Sequence, residues 1–238
     1  MRRFFLLLLS VLALKTSAQP FSFPKIDSTG RDASEFIPPG WFVEHSASGD
    51  LNNDKTEDLV LVIQSKDSIT ELRYNCETKK WDDEERGFPR ILIVLFEGLD
   101  GKYHLAFQNN DFILRSDEGG MMGDPFEGQE MKIRNNVLTF GFSGGTSERW
   151  VVEYKFRYQK SNWFLIGASS GGFHAVLGTA EENSYNFLTG KVKITTSVNI
   201  FENGKSKIKW KTIPKADLRT INMLVRPFCW EVEPGVFL

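Results

Sequence analysis

The sequence predicts a mainly antiparallel all-β fold, a meander forming a sandwich or barrel-like body, with one short C-terminal helix. Three observations carry that prediction. Val152, Tyr154, Phe156 and Tyr158 alternate with Glu153, Lys155, Arg157 and Gln159, the two-residue period of a half-buried strand. Short turn signals separate one apolar run from the next. Helical spacing is scarce, and its best candidate is Lys215–Leu224, where Leu218, Ile221 and Leu224 recur behind Pro214.

Taken in order, residues 1–18 read as a signal peptide. Arg2 and Arg3 precede the apolar run Phe4–Leu14, broken only by Ser10, and Thr16-Ser17-Ala18 places small residues at a cleavage point. Such a run is shorter than the roughly 20 residues of a membrane-spanning helix. No cysteine follows it to carry a lipid anchor. The expectation is a secreted or periplasmic protein that begins at Gln19 and has no transmembrane anchor in the mature chain.

Residues 19–40 read as an extended lead-in ending at Pro38-Pro39-Gly40, and 41–238 as a single β-rich domain. Trp41–Ser46 and Asp58–Gln64 are expected strands on either side of an acidic loop. Ile91–Phe96 is apolar on both faces, as a central strand would be. Leu99-Asp100-Gly101-Lys102 turns the chain into Tyr103–Gln108, and Asn135-Asn136 joins Glu130–Arg134 to Val137–Phe142. Lys160-Ser161-Asn162 then leads into Trp163–Ala168. Residues 65–90, with Asp82-Asp83-Glu84-Glu85, read as a polar insertion, either a long loop or a short helix.

Composition bounds the function. Of 238 residues, 29 are basic and 31 acidic; without Arg2, Arg3 and Lys15 the balance is 26 against 31, a net charge of −5. A mildly acidic chain lacks the basic footprint of a nucleic-acid binder. Aromatic residues make up 13% of the chain, including 20 Phe, enough for a large core. Cys76 and Cys229 both lie beyond the signal segment. In an oxidising compartment they are either bridged or two separate buried thiols.

The acidic loop is the sharpest functional signal. Oxygen-bearing residues occupy every second position, Asp50, Asn52, Asp54, Thr56 and Asp58, immediately before the apolar run Leu59–Ile63. A hard cation such as Ca²⁺ takes six to eight oxygens from a short loop of this kind. Unneutralised, Asp50, Asp54 and Asp58 would repel one another in a tight turn. The competing reading is an Asp/Asn-rich turn without metal. Gly49–Val60 resembles the calcium loop of FG-GAP and VCBS-type repeats. That resemblance implies side-chain ligands at Asp50, Asn52, Asp54 and Asp58 and the Thr56 carbonyl as a fifth. Lys55 stands where the repeats favour glycine. Leu61 occupies the place of the bidentate Glu of an EF-hand, which that motif requires. No internal repeat is visible, so a full propeller is not expected.

Other constellations have weaker claims. Gly167-Ala168-Ser169-Ser170-Gly171 satisfies the G-x-S-x-G pattern of a hydrolase nucleophile, yet no histidine follows His174, and the elbow needs one later in the chain. Ser116–Gly128 is long, glycine-rich and acidic; Asp117, Glu118, Asp124 and Glu127 would serve a cation, an acid/base pair as in glycosidases, or merely solvation. Ser143-Gly144-Gly145-Thr146 is a second place to look for a ligand. Lysines 191, 193, 205, 207, 209, 211 and 215 read as the solvent side of edge strands or as a face for an anionic polymer. His45, His104 and His174 follow no zinc-ligand spacing. The functional expectation is therefore an exported calcium-binding β domain with a structural or ligand-binding role, its partner a glycan or an envelope protein. A secreted hydrolase centred on residues 116–128 or Ser169 is the alternative.

Overall fold

The computed structural model describes residues 21–201 and 204–238. The expected signal segment 1–18 lies outside them. As expected, the chain is built of antiparallel sheets with one short helix, and no sheet closes into a barrel or a propeller.

Five strands make the first sheet: β1 (Thr29–Gly30), β2 (Trp41–Gly49), β3 (Asp58–Ser65), β6 (Arg90–Glu97) and β7 (Tyr103–Asn109), in the order β1-β7-β6-β3-β2. Between β3 and β6, the strands β4 (Ile69–Asn75) and β5 (Lys80–Gly87) form a separate hairpin. The second sheet is an uninterrupted meander of seven. It runs from β8 (Lys132–Arg134), β9 (Val137–Gly145), β10 (Glu148–Gln159) and β11 (Asn162–His174) to β12 (Thr179–Asn186), β13 (Lys191–Val198) and β14 (Ser206–Thr212). A four-residue helix, α1 (Ile221–Leu224), and a small hairpin of β15 (Glu231–Glu233) and β16 (Val236–Phe237) close the chain.

The sheets pack face to face. Val60, Val62, Leu92 and Val94 from the first sheet share a core with Leu138, Phe140, Phe142, Val152, Tyr154 and Phe156 from the second. Between them the β7–β8 connection drives in Phe112, whose ring meets Tyr154 at 5.0 Å, Phe156 at 5.5 Å and Phe140 at 6.1 Å, all edge to face. Edge-to-face pairs place the positive ring edge on a negative ring face, which favours one arrangement among many of equal area. Burying each aliphatic side chain on β3 contributes about 1.5–3 kcal/mol.

The two-faced apolarity of Ile91–Phe96 has a second consequence. Leu61, Ile63, Ile91, Ile93 and Leu95 face away from the other sheet, and the lead-in covers them with Phe21, Phe23, Ile26, Phe36 and Ile37. Thus the lead-in is more than an extended arm. It contains a single turn of 3-10 helix, Ala33–Phe36, capped by the Asp32 side chain, and its β1 residues pair with Tyr103 and His104.

Two expectations are corrected. The 65–90 insertion is neither loop nor helix but the β4–β5 hairpin. Its turn is stabilised by the Asn75 side chain, which accepts from the Glu77 and Thr78 amides at 2.9 and 3.0 Å. The helix expected over Lys215–Leu224 covers only Ile221–Leu224. Upstream of it the backbone pairs elsewhere: the Leu165 amide donates to the Arg219 carbonyl at 2.8 Å, and Phe164 bridges to Thr220. A tertiary ladder bond outweighs the weak helix propensity of a six-residue segment.

Cys76 and Cys229 are bridged, with their Cα atoms 4.9 Å apart across a sequence separation of 153. The bridge ties the β4–β5 hairpin to the C-terminal segment. Cross-linking so long a loop restricts the unfolded chain, and the Cys76→Ser, Cys229→Ser protein is expected to lose about 2–4 kcal/mol. Urea unfolding with and without reductant checks this; the double variant and the reduced protein should match.

Candidate functional site

The acidic loop joins β2 to β3, and Gly49–Asp58 is the last residue pair of that ladder. The side chains of Asp50, Asn52 and Asp54 fold back on the loop's own amides. Asp50 Oδ1 accepts from Asn53 N at 2.6 Å and Oδ2 from Lys55 N at 3.1 Å. Asn52 Oδ1 accepts from Asp54 N at 2.9 Å, while its Nδ2 donates to Asp54 Oδ2 at 2.8 Å. Asp54 Oδ1 in turn accepts from Thr56 N at 2.8 Å and from the Thr56 hydroxyl. The hydroxyl bond, first among the causes, holds the Asp54 carboxyl below its ordinary range. Asn53 and Lys55 have φ of 67° and 72°, so the glycine preference at position 55 reflects a real left-handed backbone.

Asp58 is different. Its side chain is fully buried and accepts from Leu51 N at 2.7 Å and Glu97 N at 3.2 Å. Burial, opposed by those two amides and reinforced by nearby Asp54, pushes its carboxyl upward. No basic side chain among the described residues forms an ion pair with it. Leu51 plugs into the shared core, and Asn136 Nδ2 donates to the Asp50 carbonyl at 2.9 Å, so the loop is pinned to both sheets.

All five expected positions therefore lie in one compact turn. Their donor chemistry, oxygen only, fits a hard cation. Yet among the described residues no group of three or more His, Cys, Asp or Glu side chains is disposed to hold a metal ion. One expected ligand is an amide and another a backbone carbonyl. The carboxylates present lone pairs to backbone N–H groups; both oxygens of Asp50 and Asp58 and Oδ2 of Asp54 retain a further acceptor site, whereas Asp54 Oδ1 already accepts twice.

A second site was hidden in sequence. Arg73, Arg115 and Arg226 meet Glu71, Glu85 and Glu118 where the β4–β5 hairpin, the 109–118 segment and the C-terminal segment converge. Arg73 Nη1 lies 3.1 Å from Glu118 and 3.5 Å from Glu85; Arg226 Nη1 lies 3.0 Å from Glu85. Arg115 pairs with Glu71, and Arg226 Nη2 with Glu118. Burial works to raise the Glu118 carboxyl, but the Arg73 and Arg226 guanidiniums outweigh it and hold it low. Nearby, fully buried Arg90 pairs with Asp124, donates to Gln64 Oε1 at 2.7 Å and to the Leu114 carbonyl at 2.9 Å. Burial opposes and the Arg90 bond lowers the Asp124 carboxyl. The only sequence signal for this network was charge beside apolar runs, as at Arg115 after Phe112–Leu114.

These pairs change the reading of Ser116–Gly128. Glu118 and Asp124 are arginine partners held ionised, unsuited to the role of a general acid. The loop is anchored by buried Phe126, which packs on His45 with ring centroids 4.0 Å apart, and by the Gly145 amide donating to the Gly119 carbonyl at 3.0 Å. A Cβ at Gly144 would lie 2.6 Å from that same Gly119 oxygen. Ser169 sits inside the continuous strand β11, opposite Glu153 and Ser184, with no strand-turn-helix elbow around it. The three histidines are apart: His45 beside Phe126, His104 bonded to Asp100 at 3.1 Å, His174 accepting from the Val176 and Leu177 amides. Lysines 191, 193, 207, 209 and 211 fall on β13 and on β14, the exposed edge of the long sheet.

The chain matches no protein-family model, no curated protein and no solved structure. The likeness of Gly49–Val60 to the repeat loop stands on that motif alone.

Two predictions follow from this geometry. Lys55→Gly relieves a left-handed side chain and is expected to raise stability by roughly 1 kcal/mol, measured by chemical denaturation. The lowered carboxyls of Glu118 and Asp124 stabilise the fold fully above their ordinary values of 4.5 and 3.8, and that contribution is lost as pH falls through their folded values. Glu118→Gln removes one of the two carboxylates paired with Arg73 and with Arg226, leaving Glu85, costs about 2 kcal/mol at neutral pH, and flattens the acid limb of a stability–pH curve; an unchanged acid limb would contradict the assignment.

Proposed function

We propose that the protein is an exported calcium-stabilised β-sandwich that acts by binding, with no catalytic step of its own. The observation that carries this reading is Asp58: a fully buried carboxylate with no basic partner among the described residues, beside a loop of alternating oxygen donors. Buried charges in proteins are paired or coordinate a metal. Here a cation at the loop would neutralise Asp58 and the like-charged Asp50 and Asp54 together. Asp50, Asn52, Asp54 and Asp58 would hold it with the Thr56 carbonyl. Its role would be structural, since the loop is tied to both sheets and bound calcium favours the native state by mass action.

Export is supported by the N-terminal pattern and by the Cys76–Cys229 bridge, which persists in oxidising compartments. Outside the cytoplasm, where calcium is abundant, a loop of modest affinity suffices. Binding rather than hydrolysis is supported by the position of Ser169 within a strand and by the arginine pairs on Glu118 and Asp124.

Thermal unfolding in excess calcium and in EDTA tests the proposal. At a calcium level about a hundredfold above Kd the gain is about 2.7 kcal/mol, or several degrees in Tm. Asp54→Ala is expected to abolish the shift and, by removing the bonds to Thr56 and Asn52, to lower the EDTA curve as well. Equal curves in calcium and EDTA for the native sequence would overturn the calcium reading.

A further inference from the structure

An open cleft of about 670 Å³ lies where the β4–β5 hairpin, Leu114–Glu118, β10 and the C-terminal segment meet. Its volume falls in the range of small-molecule sites. Four chain segments build it, and the Cys76–Cys229 bridge holds two of them together.

Its walls combine two kinds of chemistry. Trp150 and Phe228 present an edge-to-face aromatic pair, centroids 5.1 Å apart and planes at 84°. Tyr74 adds a third ring, itself braced edge to face by Trp81 at 5.6 Å. The charged lining is acidic. Arg226 is its only basic side chain, and that guanidinium already bonds to Glu85, Glu118 and the Tyr74 carbonyl. Glu77 and Asp83 also line the cavity, and neither forms an ion pair with any described residue.

This combination selects a ligand class. An anion would meet surplus carboxylates and a single guanidinium whose charge is already paired with Glu85 and Glu118. A bare metal ion wants converging oxygens, and no described group of acidic side chains supplies them. Aromatic faces together with unpaired carboxylates suit an organic cation, whose charge interacts with the ring quadrupoles while its alkyl groups cover apolar surface. We propose that this cavity binds an alkylated ammonium compound, its charge balanced by Asp83 and Glu77 and its alkyl groups seated against Trp150, Phe228 and Tyr74.

The proposal is independent of the calcium loop and is tested in EDTA, so the two readings fail separately. The mature, disulfide-bonded protein is titrated by calorimetry with choline, with tetramethylammonium, and with dimethylbutanol as the uncharged isostere of choline. Saturable binding of at least one ammonium probe is expected, with the isostere about tenfold weaker. Asp83→Asn, a change on a half-buried strand residue, is expected to weaken ammonium binding about fivefold at an unchanged unfolding midpoint, and Trp150→Leu by about tenfold. Three results would each overturn the proposal. They are no saturation by either ammonium probe up to about 50 mM, equal affinity for the isostere, and unchanged binding in the Asp83→Asn protein.

Discussion

The contact between the two sheets is the interaction on which the rest depends. Phe112 stands at its centre, edge-on to Tyr154, Phe156 and Phe140, and it belongs to neither sheet. Because it arrives on the β7–β8 connection, that connection is fixed by the core. Leu114, also buried, follows it inward, and its carbonyl receives Arg90. Arg90 on β6 and Asp124 on the β7–β8 connection meet across segments that this packing brings together. The hydrophobic effect is non-directional; the aromatic geometry gives it a single answer.

Buried charge is the second organising constraint, and the chain resolves it in two ways. Arg73, Arg90, Arg115 and Arg226 are each matched to carboxylates, at sites where an unmatched guanidinium would be costly. Asp58 is handled with backbone amides alone. The contrast matters because each arginine has a carboxylate as counter-charge, even where Arg115 Nε is buried without a hydrogen-bond partner, while Asp58 has no basic side chain paired with it among the described residues. The calcium proposal rests on that asymmetry more than on the spacing of acidic residues. The same logic separates the cavity carboxylates: Glu85 and Glu118 are committed, whereas Glu77 and Asp83 are not.

Much of the fold was legible in sequence wherever a local pattern settles the outcome. The alternation from Val152 to Tyr158 and the double apolarity of Ile91–Phe96 each imply a strand whatever surrounds them, and both strands form. The left-handed demand at Lys55 was also local, and it holds. What stayed hidden depends on partners distant in the chain. Glu71, Arg73 and Glu85 look like the solvated face of a polar insertion until Arg115 and Glu118 arrive from elsewhere. Lys215–Leu224 has helical spacing, but the backbone at Arg219 and Thr220 pairs with β11. Asp58 looked like one carboxylate among several; only the amides of Leu51 and Glu97 distinguish it. The cavity, with walls from four separate segments, has no signature in any one of them.

The seven-stranded sheet is longer than the surface that covers it. Val152, Tyr154 and Phe156 of β10 are sealed in the core, whereas every residue of β14 is exposed. One continuous hydrogen-bonded lattice thus passes from a dry interior to water on both faces. Its ladder bonds are alike in geometry but not in the cost of opening them, because opening in the interior also breaks aromatic contacts. The sheet is therefore a gradient of local stability, firm at the sandwich and loose at its lysine-bearing edge. Opening is expected to begin along β14, away from the strands that carry the loop and the cavity.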